Sequence, residues 1–154
     1  MQTALNLHIR WMIRKDMSPV LDIEADSFEF PWLEDDFIRC LRKRNCIGMV
    51  AEHDEQVIGY MIYELSRNYI YLLNFVVAPA FRRQGVGRQM VKKLLGKMSP
   101  QRRRVLEFVV RERNVDAQLF FHAMGMKGVA ILRGHYEDTG EDAYVFVHHA
   151  THES

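Results

Sequence analysis

The segment Asn74-Phe75-Val76-Val77-Ala78-Pro79-Ala80-Phe81-Arg82-Arg83-Gln84-Gly85-Val86-Gly87-Arg88 changes character twice. It begins inside an almost continuously apolar run, Tyr69 to Val77, as expected of a strand buried on both faces. Pro79 ends that run, and a glycine-containing turn follows. From Gly85 to Lys97 the chain carries Val86, Met90, Leu94 and Leu95 at helical spacing. A buried strand therefore feeds a glycine turn that opens a helix. Glycine lets the backbone approach a ligand closely, and the unpaired N–H groups of a first helical turn favour an anion. Arg82, Arg83 and Arg88 add positive charge there. The local chemistry predicts a site for a phosphate or pyrophosphate.

Spacing narrows the choice. After Gly85-x-Gly87 the third-glycine position holds Met90, so the dinucleotide-binding fingerprint fails. No Gly-Lys-Ser/Thr is present, so the P-loop fails too. What remains is Arg82-x-x-Gly85-x-Gly87. Working outward, strands are predicted over Leu7–Ile13, Cys46–Glu52, Val57–Leu65, Arg104–Val110, Met126–Leu132 and Ala143–His148. Helices are predicted from an Asp16 N-cap to about Ser27, over Leu33–Arg44 and over Asn114–Met124, with Pro31 separating the first two. The element order is β-α-α-β-β-β-α-β-α-β-β. It implies an α/β (α+β) fold, a mixed central sheet of about seven strands flanked by about four helices.

Composition sets the outer bounds. The 154 residues are 48% hydrophobic and 27% charged, with 21 Lys and Arg against 20 Asp and Glu, a net +1. That length fits one domain over 1–150 with a tail at 151–154. The hydrophobic fraction excludes disorder as the default. A neutral total argues against general nucleic-acid binding, yet Arg82, Arg83, Arg88, Lys92, Lys93 and Lys97 crowd one helix and its loop. The two cysteines, Cys40 and Cys46, read as buried thiols and not as a disulfide framework. There is no signal peptide and no apolar window long enough to span a membrane, so the chain reads as cytoplasmic.

The Arg82-x-x-Gly85-x-Gly87 pattern, with its preceding strand and Val77-Ala78-Pro79, resembles the acetyl-CoA pyrophosphate loop of the GNAT N-acetyltransferase superfamily. Phe30-Pro31-Trp32, Val110-Arg111-Glu112-Arg113-Asn114, Gly134-His135-Tyr136 and Gly140-Glu141-Asp142-Ala143 are similar to motifs of the bacterial ribosomal-protein alanine N-terminal acetyltransferase subgroup. The resemblance covers nearly the whole chain. It implies the GNAT fold and acetyl-CoA as co-substrate, with no metal. It also implies that the backbone of Val76 and Val77 pairs with the pantetheine arm, and that Arg82, Arg83, Gln84, Gly85, Val86, Gly87 and Arg88 hold the pyrophosphate. Asn114 and Phe121 would complete the cofactor site. Glu29, Phe30, Trp32 and Tyr136 would flank the acceptor, although Trp32 reads equally as a core plug and Tyr136 as a surface turn residue.

The pattern breaks at the proton-handling positions. The subgroup's Glu general base falls at Val109 and its Tyr general acid at Phe121, and neither side chain here can move a proton. Three substitutes are in range. Glu107 lies two residues before Val109 on the same strand face. Tyr71 resembles a strand Tyr used by some eukaryotic N-terminal acetyltransferases. His122 adjoins Phe121. Glu24 and Glu29 lie beside the acceptor loop as weaker options. The expected activity is direct transfer of acetyl from acetyl-CoA to an amine, foremost a protein N-terminal α-amine. A CoA-binding regulatory module and a small-amine acetyltransferase are the alternatives, and monomer and homodimer both stay open. Arg102-Arg103-Arg104 reads as a solvated loop or as a contact for the CoA 3′-phosphate or RNA. His148, His149 and His152 read as a polar chain end and not as a metal site.

Overall fold

A computed structural model describes residues 5–150; the expected tail at 151–154, with His152, lies outside the described residues. Strand β1 (His8–Trp11) precedes helices α1 (Met17–Ser27) and α2 (Glu34–Leu41). Strands β2 (Cys46–His53), β3 (Gln56–Leu65) and β4 (Tyr69–Val77) form a meander. Helix α3 (Val86–Leu95), β5 (Val105–Arg111) and α4 (Val115–Ala123) follow, and β6 (Lys127–Tyr136) and β7 (Glu141–His149) complete the order. The strands join one seven-stranded sheet in the order β1-β2-β3-β4-β5-β7-β6. Only β4 and β5 pair in parallel, and α3 makes the crossover such a pair needs. The mixed α/β architecture read from the sequence is the one observed. Among the described residues no helix is long and apolar enough to cross a membrane.

Alternating residues of β2 serve two cores. Met49 and Ala51 belong to the cluster under α3 and α4, with Ile70, Leu72, Met90, Leu94, Leu106 and Phe121. Val50 belongs to the cluster under α1 and α2, with Val20, Phe37, Tyr60, Ile62 and Val76. This is the two-residue period of a strand covered on both faces. Cys40 and Cys46 sit in the second cluster as free thiols, sulfurs 2.8 Å apart. Burial, then the neighbouring thiol, pushes Cys46 up to about 12, so it stays protonated at neutral pH.

Element ends depart from the expectation for local reasons. Helix α2 stops at Leu41 because Lys43 N–H donates to the Cys40 carbonyl and Cys46 N–H to that of Lys43, a turn that launches β2. Asp16 is not a side-chain N-cap of α1. Its carboxylate reaches backwards to the Ile13 amide at 2.8 Å and to Arg10 at 2.8 and 3.0 Å. Strand β6 runs on to Tyr136 through two register irregularities, beyond the expected Leu132. His148 and His149 are consecutive on β7 and therefore face opposite sides of the sheet.

Candidate functional site

Two irregularities in the middle of the sheet create the site. Between β3 and β4 the register slips at Ile62/Tyr63, leaving Leu73 as an extra residue on β4. Between β4 and β5 the pairing covers only Tyr69–Leu72 with Val105–Phe108. Beyond those residues the parallel strands part, although β4 continues to Val77 and β5 to Arg111. Hydrogen-bonding direction alternates along an antiparallel strand. Ala78 N–H donates to Ile58 at 2.7 Å, which turns the Val76 amide toward β3 and the Val77 amide toward the opening. Phe75 N–H also turns that way but is taken by Asn74 Oδ1 at 3.0 Å. The open donor is thus at Val77, and of the expected Val76–Val77 pair only this amide is directed outward.

The parted strands open onto a cleft of about 620 Å³. Its floor is Phe75, Val76 and Val77, and one rim is Arg82, Arg83, Gly85, Val86, Gly87 and Arg88 at the start of α3. Leu119, Phe120 and Asp116 of α4 close the other side, with Phe28 and Phe81 at the ends. Gly85 is the N-cap of α3 with φ of 83°, a left-handed conformation that glycine adopts without penalty. At Gly87 a Cβ would lie 3.0 Å from the Phe120 ring, so any larger residue there would require the ring to give way. Arg82 is anchored at the rim: its Nε donates to the Val77 carbonyl at 3.1 Å and its Nη2 to Ser27 Oγ at 3.3 Å. Arg83 and Arg88 make no ion pair among the described residues. Gln84 is absent from the lining and donates to the Ala80 carbonyl. The helix N-terminus, the open strand edge and two unpaired guanidiniums fit a ligand with a diphosphate and an extended amide arm.

One further expectation needs correction on this side. Phe121 does not line the cleft. It is buried in an aromatic group with Phe75, Phe108 and Phe120, at ring separations of 5.3, 4.7 and 5.0 Å, and Phe120 lines the cleft instead. Asn114 is the N-cap of α4, accepting from Ala117 N–H at 3.1 Å. Sequence reading missed Phe28, Phe75, Phe81 and Phe120. Only Phe75, apolar beside the glycine turn, carried a usable signal.

The opposite side of the opening belongs to α1 and α2. Glu24 is 1% exposed and gathers three donors: Tyr60 Oη, Asn74 Nδ2 at 2.7 Å and Trp32 N–H at 2.8 Å. Burial, then the Glu24 charge, holds the Tyr60 phenol well above its usual range, so it remains a donor. Trp32 packs edge-on against Phe37 at 5.1 Å and is partly buried against the core under the loop, as the plug reading expects. Phe30 instead faces Arg111, whose guanidinium lies 5.4 Å from the Phe30 ring and 3.8 Å from the Tyr136 ring. Arg111 also pairs with Asp138 at 2.8 Å and Glu141 at 3.3 Å. The two segments expected to flank the acceptor therefore meet on one residue of β5. Glu29 is exposed and outside this assembly.

Of the proton-handling candidates, Tyr71 and Glu107 are direct cross-strand partners one step before the strands part, and Glu64 partners Tyr71 on its other side. Burial, and then Glu107, raises the Tyr71 phenol above its ordinary value, so it is a donor and not a base at neutral pH. Val109 lies two residues further along β5, on the face of Glu107. His122 is exposed on the outer side of α4 and does not join them. Arg102 and Arg103 lie near the N-terminal end of β4, about 26 Å along that strand from the cleft, so they cannot reach a cofactor's phosphate there.

Comparison with known proteins adds the family. The profile of the acetyltransferase (GNAT) family matches residues 17–126. This chain belongs to the GNAT acetyltransferase family. An uncharacterized N-acetyltransferase of Methanocaldococcus jannaschii is 30% identical over 142 residues, 90% of this chain and 89% of that protein. The [ribosomal protein bS18]-alanine N-acetyltransferase of Escherichia coli K12 is 25% identical over 132 residues, 84% of this chain and 88% of that one. The crystal structure of the Escherichia coli ribosomal-protein-S18-alanine N-acetyltransferase superposes with a TM-score of 0.84 at 22% identity, covering 97% of each chain. The protein is a GNAT acetyltransferase, and the cleft beside the Arg82-x-x-Gly85-x-Gly87 turn lies where β4 and β5 of its fold part.

Proposed function

We propose that this acetyltransferase, one domain over residues 1–150 working in the cytoplasm, moves acetyl from acetyl-CoA to the α-amine of a protein N-terminus. The observation that carries the reading is the parting of β4 and β5 beside a helix start with unpaired guanidiniums. The amides from Gly85 to Arg88, with Arg83 and Arg88, would take the pyrophosphate. The open edge of β4 would take the pantetheine arm, with Asn114 offering the Nδ2 that its capping role leaves over. The Val77 amide would stabilise negative charge on the thioester oxygen as the amine attacks. The acceptor would enter between Phe30 and Tyr136, a geometry in keeping with the N-terminal alanine named for the Escherichia coli relative.

Proton transfer is assigned to Glu107, directly or through water, with Tyr71 as the adjacent donor. The demand on that base is modest. An α-amine with a pKa of about 7.7–8 is roughly a tenth neutral at pH 7, whereas a Lys side chain near 10.4 is neutral about 0.04% of the time. The thiolate leaves without a strong acid, which suits a general-acid position filled by Phe121 and ringed by aromatic carbon. The test is CoA release from acetyl-CoA with N-terminal peptides, lysine peptides and small amines. The expected result is turnover on α-amines, falling about 10²-fold or more in Glu107→Gln, with a smaller loss in Tyr71→Phe. Acetyl-CoA binding without turnover on any amine would sink the proposal.

A further inference from the structure

A second concave site lies at the other end of β4, where β4 and β5 are still paired. It encloses about 680 Å³ and is lined by Arg44, Asn45, Arg67, Gln101, Arg102 and Arg103, among others. The turn before β4, the loop before β5 and the turn after α2 each contribute, so the four guanidiniums come from three separate segments. Among the described residues none of them makes an ion pair and no carboxylate lines the pocket. The nearest acidic neighbour, Glu64, is occupied by Asn45 Nδ2 at 3.1 Å. Arg103 Nε is buried and has no hydrogen-bond partner. The backbone around it is fixed, since Arg103 N–H donates to the Arg67 carbonyl at 2.9 Å and Ser99 ties to Arg102. Ordinary surface arginines point away from one another or find acids. Here four line one concavity with no acid beside them among the described residues, a lining suited to an anion.

We propose that this pocket binds a compact oligophosphate, free or carried on a nucleoside. Guanidinium forks match phosphate oxygens, and several phosphates in a row would neutralise charges drawn from three segments. The volume is that of a small-ligand site and not of an extended groove. The chain's near-neutral total charge likewise disfavours a nucleic-acid track.

Isothermal titration of the full chain with sodium tripolyphosphate and with ATP tests this, in saturating CoA so that the cleft is filled. CoA is first titrated alone, and its failure to bind would count against the acetyl-transfer reading and not against this one. The expected result is one additional site per chain that weakens with salt and at least tenfold in the exposed double variant Arg67→Gln/Arg102→Gln, whose thermal unfolding should match the parent. Equal affinities would assign free oligophosphate, and tighter ATP the nucleoside form. No binding in the presence of CoA, binding indifferent to the double variant, or tighter binding of a ten-nucleotide single-stranded RNA would each overturn the proposal.

Discussion

The two walls of the cleft are held by different means. The α3/α4 wall is hydrocarbon: Phe75, Phe108, Phe120 and Phe121 interlock, and Gly87 lets Phe120 settle against the helix. The α1/α2 wall is tied by polar groups: Glu24 holds Tyr60, Asn74 and the Trp32 amide, and Arg10 joins Asp16 and Glu52 where β1 meets α1. Packed rings tolerate a change of chemistry that keeps their volume. A buried polar hub does not, because losing one member leaves the others desolvated and unpaired. The candidate proton-handling pair, Tyr71 and Glu107, lies where β4 and β5 part and not among the packed rings.

That contrast can be broken in a ranked series. Glu24→Ala strands three donors at once and should lower stability by about 3–5 kcal/mol in urea unfolding. A loss under about 1 kcal/mol would mean that packing, not the hub, holds the acceptor wall. Asp16→Asn should cost about 1.5–3 kcal/mol, the range for buried bonds to a charged group. The Arg10 guanidinium holds the Asp16 carboxyl below its ordinary 3.8. Its stabilisation is therefore complete above that value and lost as pH falls through the lower folded value. Parent and Asp16→Asn curves should converge toward low pH; a gap that stays constant would refute the linkage. On the hydrocarbon wall, Phe121→Tyr adds one hydroxyl among rings and should cost about 1–2 kcal/mol. A stabilising Phe121→Tyr would reveal a hidden acceptor beside that ring.

These contrasts mark where sequence reading stopped. The meander, the crossover and the glycine turn were legible because periodicity and turn chemistry are local. Gly85 and Gly87 announced themselves by spacing, and the structure supplies the reasons, a left-handed N-cap and a ring in the way. Arg82 looked like one of three equivalent anion contacts, yet its partners Val77 and Ser27 are set by tertiary packing. Phe121 is named by the position of the subgroup's Tyr, whereas its neighbour Phe120, about 100° away around α4, is the one that lines the cleft. Glu24 read as a weak catalytic option because no local pattern says that Tyr60 and Asn74 converge on it. The bulge at Leu73 and the parting of β4 and β5 fall inside a mostly apolar run, where the one amide side chain, Asn74, does not by itself announce a slip.

The smallest stability effect should come with a selective functional one, at Arg111. Its side chain is 28% exposed, and screening by water leaves its pairs with Asp138 and Glu141 worth little to the fold. Its position matters more: it stacks beneath Tyr136, faces Phe30 and so ties the β6–β7 turn to the α1–α2 loop across the proposed acceptor mouth. Arg111→Ala should leave the denaturation midpoint nearly unchanged and raise KM for an acceptor peptide about three- to tenfold, with kcat and the KM for acetyl-CoA preserved. Arg111→Lys should restore little, because an ammonium neither stacks as a plane nor spans two carboxylates as a fork. Higher salt should weaken the parent's acceptor KM toward that of the variant and leave the variant unmoved. An equal fall in kcat would instead mean that Arg111 acts on the reacting atoms, and the polar wall would then reach further into the chemistry than its geometry indicates.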